Sequence, residues 1–123
     1  PLGVVVLIAD ADAARAREIA VYCQRLGWSS LVAVDALQAV TFASRARPDV
    51  VVLHTRLPAG NGAGALERIR RLPARADVPV VVIGVPHGDE ALVARLRAAA
   101  ADAIFLPGAD PRAVAGALAT VLP

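Results

Sequence analysis

Lysine is missing from this chain: all 13 basic residues are arginine. A guanidinium is planar and always charged, so an all-arginine surface favours carboxylate or phosphate partners. Methionine is missing too, even at position 1, so the expectation is a processed chain or a piece excised from a larger protein, with residues 1–123 forming one domain. The single cysteine, Cys23, excludes an internal disulfide, and its place in a predicted helix makes it a buried thiol. Aromatic residues are 3% of a chain that is 57% hydrophobic, so the core has to be built from Val, Leu, Ile and Ala. The longest apolar run, Val4 to Ala9, is too short to cross a membrane, and no basic start followed by an apolar stretch announces a signal peptide. A cytoplasmic location without a membrane partner is the expectation. A net charge of +2 is too mild to announce nucleic-acid binding.

What is present is a regular alternation. Val4 to Ala9 is a β-branched run that ends in Asp10-Ala11-Asp12, a buried strand followed by an acidic loop. Asp12 caps a helix over Ala13 to Leu26, with Ala16, Ile19, Cys23 and Leu26 as its apolar stripe and Arg15, Arg17 and Arg25 mostly outside. Gly27 ends that helix. Ser30 to Val34 reads as a second strand and Ala36 to Arg45 as a second helix, closed by Arg47-Pro48.

The stretch Pro48 to Gly62, PDVVVLHTRLPAGNG, holds the third strand, a short apolar run that reaches a polar residue at His54. Such runs are central parallel strands covered on both faces, and the functional crevice of an open α/β sheet lies at their carboxyl ends. A third helix starting at Gly62 or Gly64 buries Leu66, Ile69 and Leu72 and carries Glu67, Arg68, Arg70 and Arg71 outside. Val80 to Ile83 is a fourth strand ended by Gly84, and Asp89 caps a helix over Glu90 to Ala100 with Leu92, Val93 and Leu96 apolar. Ala103 to Leu106 is a short fifth strand, and Asp110-Pro111 opens the last helix, which runs to Leu122. Five βα units with short connections mean an α/β fold, a parallel sheet with helices on both faces and right-handed crossovers.

VLIADAD, PDVVVLHTRLPAGNG, VPVVVIG and ADAIFLPGADP, in that order and spacing, resemble the receiver domain of two-component response regulators, the CheY-like family. The resemblance covers nearly the whole chain and implies a flavodoxin/CheY-like (βα)5 fold with strand order 2-1-3-4-5. In that family the third strand ends in a phospho-accepting Asp, the first in an acidic pair that binds Mg²⁺, the fourth in Ser or Thr, and the fifth in a Lys before a Pro.

This chain departs at each of those places. His54 stands at the acceptor position, so an acyl-phosphate cannot form there. In the acidic pocket Asp10 matches the first member of the pair, Ala11 replaces the second, and Asp12 lies one residue on, pointing the other way on an extended segment. Gly84 stands for Ser or Thr, Pro107 for Lys, and Ile104 for the aromatic switch residue, with Phe105 beside it on the opposite face. Phosphoryl transfer needs a nucleophile, a cation and aimed donors. The reading is a pseudo-receiver: a non-phosphorylatable module of a bacterial signalling protein, with no catalysis, no cofactor and no bound metal.

Its expected partners are an attached output domain or another protein, or a second copy docked through the fourth helix, fifth strand and last helix, with Arg95, Arg97, Asp102 and Arg112 on that face. The alternative is a ligand- or pH-sensing domain using the crevice at Asp10, His54 and Gly84. In the bland reading, His54 hydrogen-bonds Asp10 or backbone. A phosphohistidine at His54 and a metal site from Asp10, Asp12 and His54 are weaker readings, and no nucleophile–base–oxyanion set supports an enzyme. The cluster Arg68, Arg70, Arg71 and Arg75 reads as a solvated face before it reads as a site for an acidic partner or nucleic acid. Tyr22 and Trp28 read as packing residues. The GNGAG segment lacks the spacing and Lys of a phosphate-binding loop.

Overall fold

The structure, a computed structural model, describes residues 3–123. Five parallel strands, β1 (Val5–Ala9), β2 (Ser29–Ala33), β3 (Val50–His54), β4 (Val80–Ile83) and β5 (Ala103–Ile104), form one sheet in the order β2-β1-β3-β4-β5. Helices α1 (Ala13–Arg25), α2 (Ala36–Arg45), α3 (Asn61–Ile69), α4 (Glu90–Ala98) and α5 (Pro111–Val121) alternate with them. This is the flavodoxin/CheY-like fold that the alternation implies.

The pleat sorts the core into two layers. Leu7, Val51, Leu53, Val80 and Val82 face Ala36, Ala39, Ala43, Leu66, Ile69 and Leu96 on one side of the sheet. Val6, Ile8, Val50, Val52, Val81 and Ile83 face Ile19, Cys23, Trp28, Val114 and Leu118 on the other. β3 is buried along its whole length, so its alternation decides which layer each residue joins. His54, two residues beyond Val52, comes out on the side of α1 and α5.

Several sequence expectations need correction. Leu26 is not part of the buried stripe of α1: it caps the helix and is 49% exposed. The turn at Gly27 (φ 83) brings Trp28 back instead, with the Trp28 and Gly27 amides donating to the Cys23 and Gln24 carbonyls at 3.0 and 2.9 Å. That is the Schellman arrangement, and it seats the indole on the residue one turn back. Burial raises the Cys23 thiol to about 11, so it stays protonated. β5 is two residues long, not four: after Phe105 the chain turns toward Pro107-Gly108, and Leu106 is left half-exposed. α3 begins at Asn61, whose Oδ1 accepts from the Gly64 amide at 2.8 Å.

The arginine cluster is no continuous outer face. Arg70 folds under α3 and donates to the carbonyls of Ala76, Val78, Ala99 and Ala100 at 2.6–3.0 Å. Its guanidinium thus ties the end of α3 to the approach to β4 and to the last turn of α4. Arg75 reaches back to the carbonyl of Pro48. Planar, always-charged donors suit this task of satisfying several orphan carbonyls at once.

Candidate functional site

The carboxyl ends of β1, β3 and β4 bring Asp10, His54 and Gly84 together, as the sequence expects, but the contacts differ from the expected ones. Asp10 is completely buried and does not hydrogen-bond His54. Its carboxylate is spanned by Arg15, with Nε to Oδ2 at 2.5 Å and Nη2 to Oδ1 at 2.8 Å, and Oδ1 also accepts from the Asp12 amide at 2.9 Å. A bidentate guanidinium is the strongest partner a carboxylate finds among side chains. Arg15 was expected on the outside of α1. From the first turn of that helix it reaches back over the loop, and its side chain remains 41% exposed. The sequence signal was present: Arg15 is the first cation after the acidic loop and five residues from Asp10.

Asp12 serves the helix. Its Oδ1 accepts from the amides of Ala14 and Arg15 at 3.0 and 3.1 Å, and the Arg15 amide above all holds its carboxyl below the usual range. A divalent cation at this place needs several free carboxylate oxygens. Arg15 holds both oxygens of Asp10, Ala11 brings none, and Asp12 is bound to backbone. This donor set does not fit Mg²⁺, and among the described residues no three His, Cys, Asp or Glu side chains are placed to hold a metal.

His54 is 8% exposed. Its Nδ1 accepts from the Arg56 amide at 3.0 Å. A backbone N–H can only donate, so the neutral ring carries its proton on Nε2. Nε2 makes no hydrogen bond to protein among the described residues and is not one of the fully buried unpaired atoms, so solvent reaches it. Burial pulls the imidazole below its ordinary 6.5, Asp10 works against that, and Arg15 and Arg56 add to it. His54 is therefore neutral at pH 7. Its depressed folded value means that the unfolded chain takes up the proton first. Stability linked to this ring is present above pH 6.5 and is lost as the pH falls below it. Urea unfolding between pH 7.5 and about 5 should show that decline in the wild type, and His54→Asn should flatten it by removing the titrating group. Parallel curves for the two proteins would contradict the assignment.

Gly84 (φ 73) explains the environment of that ring. A Cβ at position 84 would lie against Nε2 and within 2.7 Å of Cε1 and 2.9 Å of Cδ2 of His54. The imidazole fills the place of a side chain at 84. Thr55, which the sequence reading did not single out, donates its hydroxyl to the Gly84 carbonyl at 2.7 Å and fixes the β3 and β4 ends relative to each other. Ile104 packs toward α4 and Phe105 toward α5, on opposite faces. Pro107 lies on the wall of a cavity of about 480 Å³ that opens between α1, the strand ends and the start of α5.

The face expected to dock a partner is also altered. Arg95 turns to Glu67 on α3, with contacts of 2.9 and 2.7 Å, and Asp102 accepts from the Val80 amide at 2.7 Å. Arg112 borders Tyr22 and Arg25 beside α1. Of the four charges only Arg97 stays with the groove of Val93, Ile104 and Leu106. Tyr22 stacks on the Arg25 guanidinium at 4.9 Å, and His87 is exposed in its turn. The GNGAG amides serve the fold, Gly62 donating to the Thr55 carbonyl at 2.9 Å.

Comparisons with known proteins agree with the fold. A sequence model of the response regulator receiver domain matches residues 6–115. The probable transcriptional regulatory protein TcrX of Mycobacterium tuberculosis is 31% identical over 104 residues, 85% of this chain and 44% of that protein. The DNA-binding response regulator MtrA of Mycobacterium leprae is 31% identical over 102 residues, 83% of this chain and 44% of that protein. The chain thus spans less than half the length of these relatives. Among solved structures, the chemotaxis response regulator CheY4 of Vibrio cholerae superimposes with a TM-score of 0.88 at 19% identity, covering 98% of this chain and 99% of that one. The receiver domain of a sensor histidine kinase from Pseudomonas aeruginosa, which holds a magnesium ion in its active-site cleft, gives 0.83 at 20% identity with 96% of each chain covered.

Proposed function

Because this chain belongs to the response regulator receiver domain family, we propose that it is a pseudo-receiver, a signalling module that takes no phosphate and works by protein–protein contact. The observation that carries the reading is Arg15. A guanidinium already spans the buried carboxylate at which a receiver would seat its cation, so the positive charge is built in and permanent. His54 in place of an acceptor carboxylate, Gly84 in place of a hydroxyl and Pro107 in place of an ammonium remove the remaining chemistry. Each such loss costs about two or more powers of ten in rate, and loss of the nucleophile ends the reaction.

Such a module acts through an attached output domain, a kinase or a second copy. Its surface is then set by partner concentration and not by phosphate. Nucleic acid is not expected to meet this domain itself, although MtrA is a DNA-binding protein as a whole. Incubated with acetyl phosphate and Mg²⁺, the chain should gain no phosphoryl mass by intact-mass spectrometry, and His54→Asp should stay unmodified as well, because the new carboxylate still faces Arg15 instead of a metal. Stoichiometric phosphorylation of the wild type would sink the proposal.

A second reading, a sensing crevice at Asp10, His54 and Gly84, has one observation in its favour: the largely buried imidazole of His54 lines a cavity of about 480 Å³ at the strand ends.

A further inference from the structure

The two edges of the sheet are unlike. β5 is two residues long and runs on toward Pro107-Gly108, which blunts that edge against further pairing. β2 has no such protection. The stretch Trp28 to Val34 holds no charge, no proline and no glycine, and β2 is exposed at Ser29, Ser30 and Val32. Along a strand, successive residues turn their main-chain groups to opposite sides. The Ser29 amide donates to the Val4 carbonyl at 3.1 Å and the Ala33 carbonyl accepts from the Asp10 amide at 2.9 Å, so Ser29, Leu31 and Ala33 serve β1. Ser30, Val32 and Val34 therefore turn theirs away from the sheet. The Val34 amide is taken by Gln38 Oε1 at 3.0 Å. The amides and carbonyls of Ser30 and Val32 have no protein partner among the described residues.

Apolar surface and charge say what fits this edge. Six large apolar side chains are exposed among the described residues, and four of them, Val21, Val32, Val34 and Leu37, lie on β2, just past it, or on the helices that flank it. Val21 shares a shallow groove with Ser29 and Ser30. The carboxyl end of β2 is flanked by the helix caps Asp12 and Asp35. Its amino end is level with the starts of β1 and β3 and lies by Arg25, Arg45 and Arg47, at the close of α1 and α2, against Asp49 alone. Near the acidic end Arg15 is held by Asp10, and Arg17 is offset by its neighbour Glu18. A second copy laid antiparallel along this edge sets the acidic end of each against the basic end of the other. A parallel copy would set like charge on like.

We propose that a second copy of this chain pairs with β2, antiparallel about a two-fold axis at Leu31. Ser30 of each copy exchanges amide and carbonyl bonds with Val32 of the other, so the free groups of both residues are used and Gln38 keeps its bond to Val34. Val32, in register with Ile8, points to the α1 side of the sheet, where the pairing gathers the exposed Val32 and Val21 of both copies. The contact is isologous, and the blunted β5 edge offers no further place to add a strand, so the assembly closes at two. This surface lies away from the groove of α4 and β5, and the proposal goes beyond the pseudo-receiver reading without depending on it.

Mass and amide exchange of the chain, each followed against its concentration, test this. Sedimentation should show a monomer–dimer equilibrium with a dissociation constant of about 10–100 μM, as suits a small interface. Between about 5 μM and about 1 mM chain, hydrogen exchange at the Ser30 and Val32 amides should slow about fivefold or more, while Leu31 and Ala33, already bonded to β1, stay as they were. Val32→Lys puts a charge on the edge and Ser30→Pro removes an outward donor; each should weaken the dimer at least about tenfold. Leu106→Glu, in the groove of α4 and β5, should leave it unchanged. The wild-type exchange pattern carries the test by itself if a variant unfolds. Four results would overturn the proposal: a monomer at about 1 mM, a dimer that leaves Ser30 and Val32 exchanging as before, a dimer that Leu106→Glu breaks and Val32→Lys does not, or a mass that grows beyond two copies. Phosphorylation by acetyl phosphate would overturn the pseudo-receiver reading and leave these measurements as they stand, so the two failures are told apart.

Discussion

Gly84→Ser, which puts a hydroxyl back at the end of β4, is expected to lower the unfolding free energy by about 3 kcal/mol. Two costs add. The backbone at 84 is left-handed, with φ of 73, and holding an L-residue there costs roughly 1–2 kcal/mol. The new Cβ also lands on the imidazole of His54, within 2.7 Å of Cε1, and overpacking of this kind costs about 1–3 kcal/mol. Urea denaturation measures the sum, and a double-mutant cycle with His54→Ala divides it. Once the ring is gone, Gly84→Ser should cost only the backbone share, so the coupling should equal the overpacking share of about 1–3 kcal/mol. Equal costs in both backgrounds would show that the ring does not occupy this place. The structural meaning is that His54 and Gly84 belong together. A hydroxyl at 84 and an imidazole at 54 compete for one volume, so the hydroxyl position of the receiver pocket cannot be restored alone.

Gly62→Ala should be at least as damaging, about 3 kcal/mol or more, for a reason that no side-chain rearrangement can relieve. Here the added methyl would meet main chain: the carbonyl oxygen of His54, its carbonyl carbon at 3.0 Å and Thr55 Cα at 2.9 Å. The first turn of α3 lies directly on the end of β3, pinned by the Gly62 amide on the Thr55 carbonyl. A methyl there has to push helix and strand apart and move His54 with them. Gly64→Ala, two residues on in the same helix, is the control. Its methyl would sit 3.4 Å from Asn61 Oδ1 with no positive φ, so helix propensity should dominate and stabilise by about 0.5–1 kcal/mol. Opposite signs at 62 and 64 are the expected outcome. A loss below about 1 kcal/mol at 62 would mean that α3 does not rest on β3 as described.

Much of this fold was legible in the chain. The VVVLIA and VVVLH runs, the Asp caps at 12, 89 and 110, Gly27 as a helix stop and Pro111 as a helix start are local signals whose physics acts within a few residues, and the elements lie where those signals put them. Where an expectation failed, a distant partner had intervened. Leu26 fits the helical stripe, but the turn at Gly27 gave its place to Trp28. Arg70 and Arg75 have the spacing of an outer face, but orphan carbonyls of neighbouring segments drew them in. Arg95 and Asp102 look like interface charges and are held by Glu67 and the Val80 amide.

The same division runs through the site. That Asp10, His54, Gly84 and Pro107 stand at the strand ends was readable from the chain through its resemblance to the receiver family, with the strand period itself putting His54 at the end of its strand. Who binds whom there was decided only in three dimensions. The carboxylate at 10 took the guanidinium of Arg15 and not the imidazole, since a two-pronged charged contact outcompetes a neutral ring that a backbone amide already engages. Residue identity and periodicity are written along the chain, whereas competition among long flexible side chains for a few buried acceptors depends on distances that only packing sets.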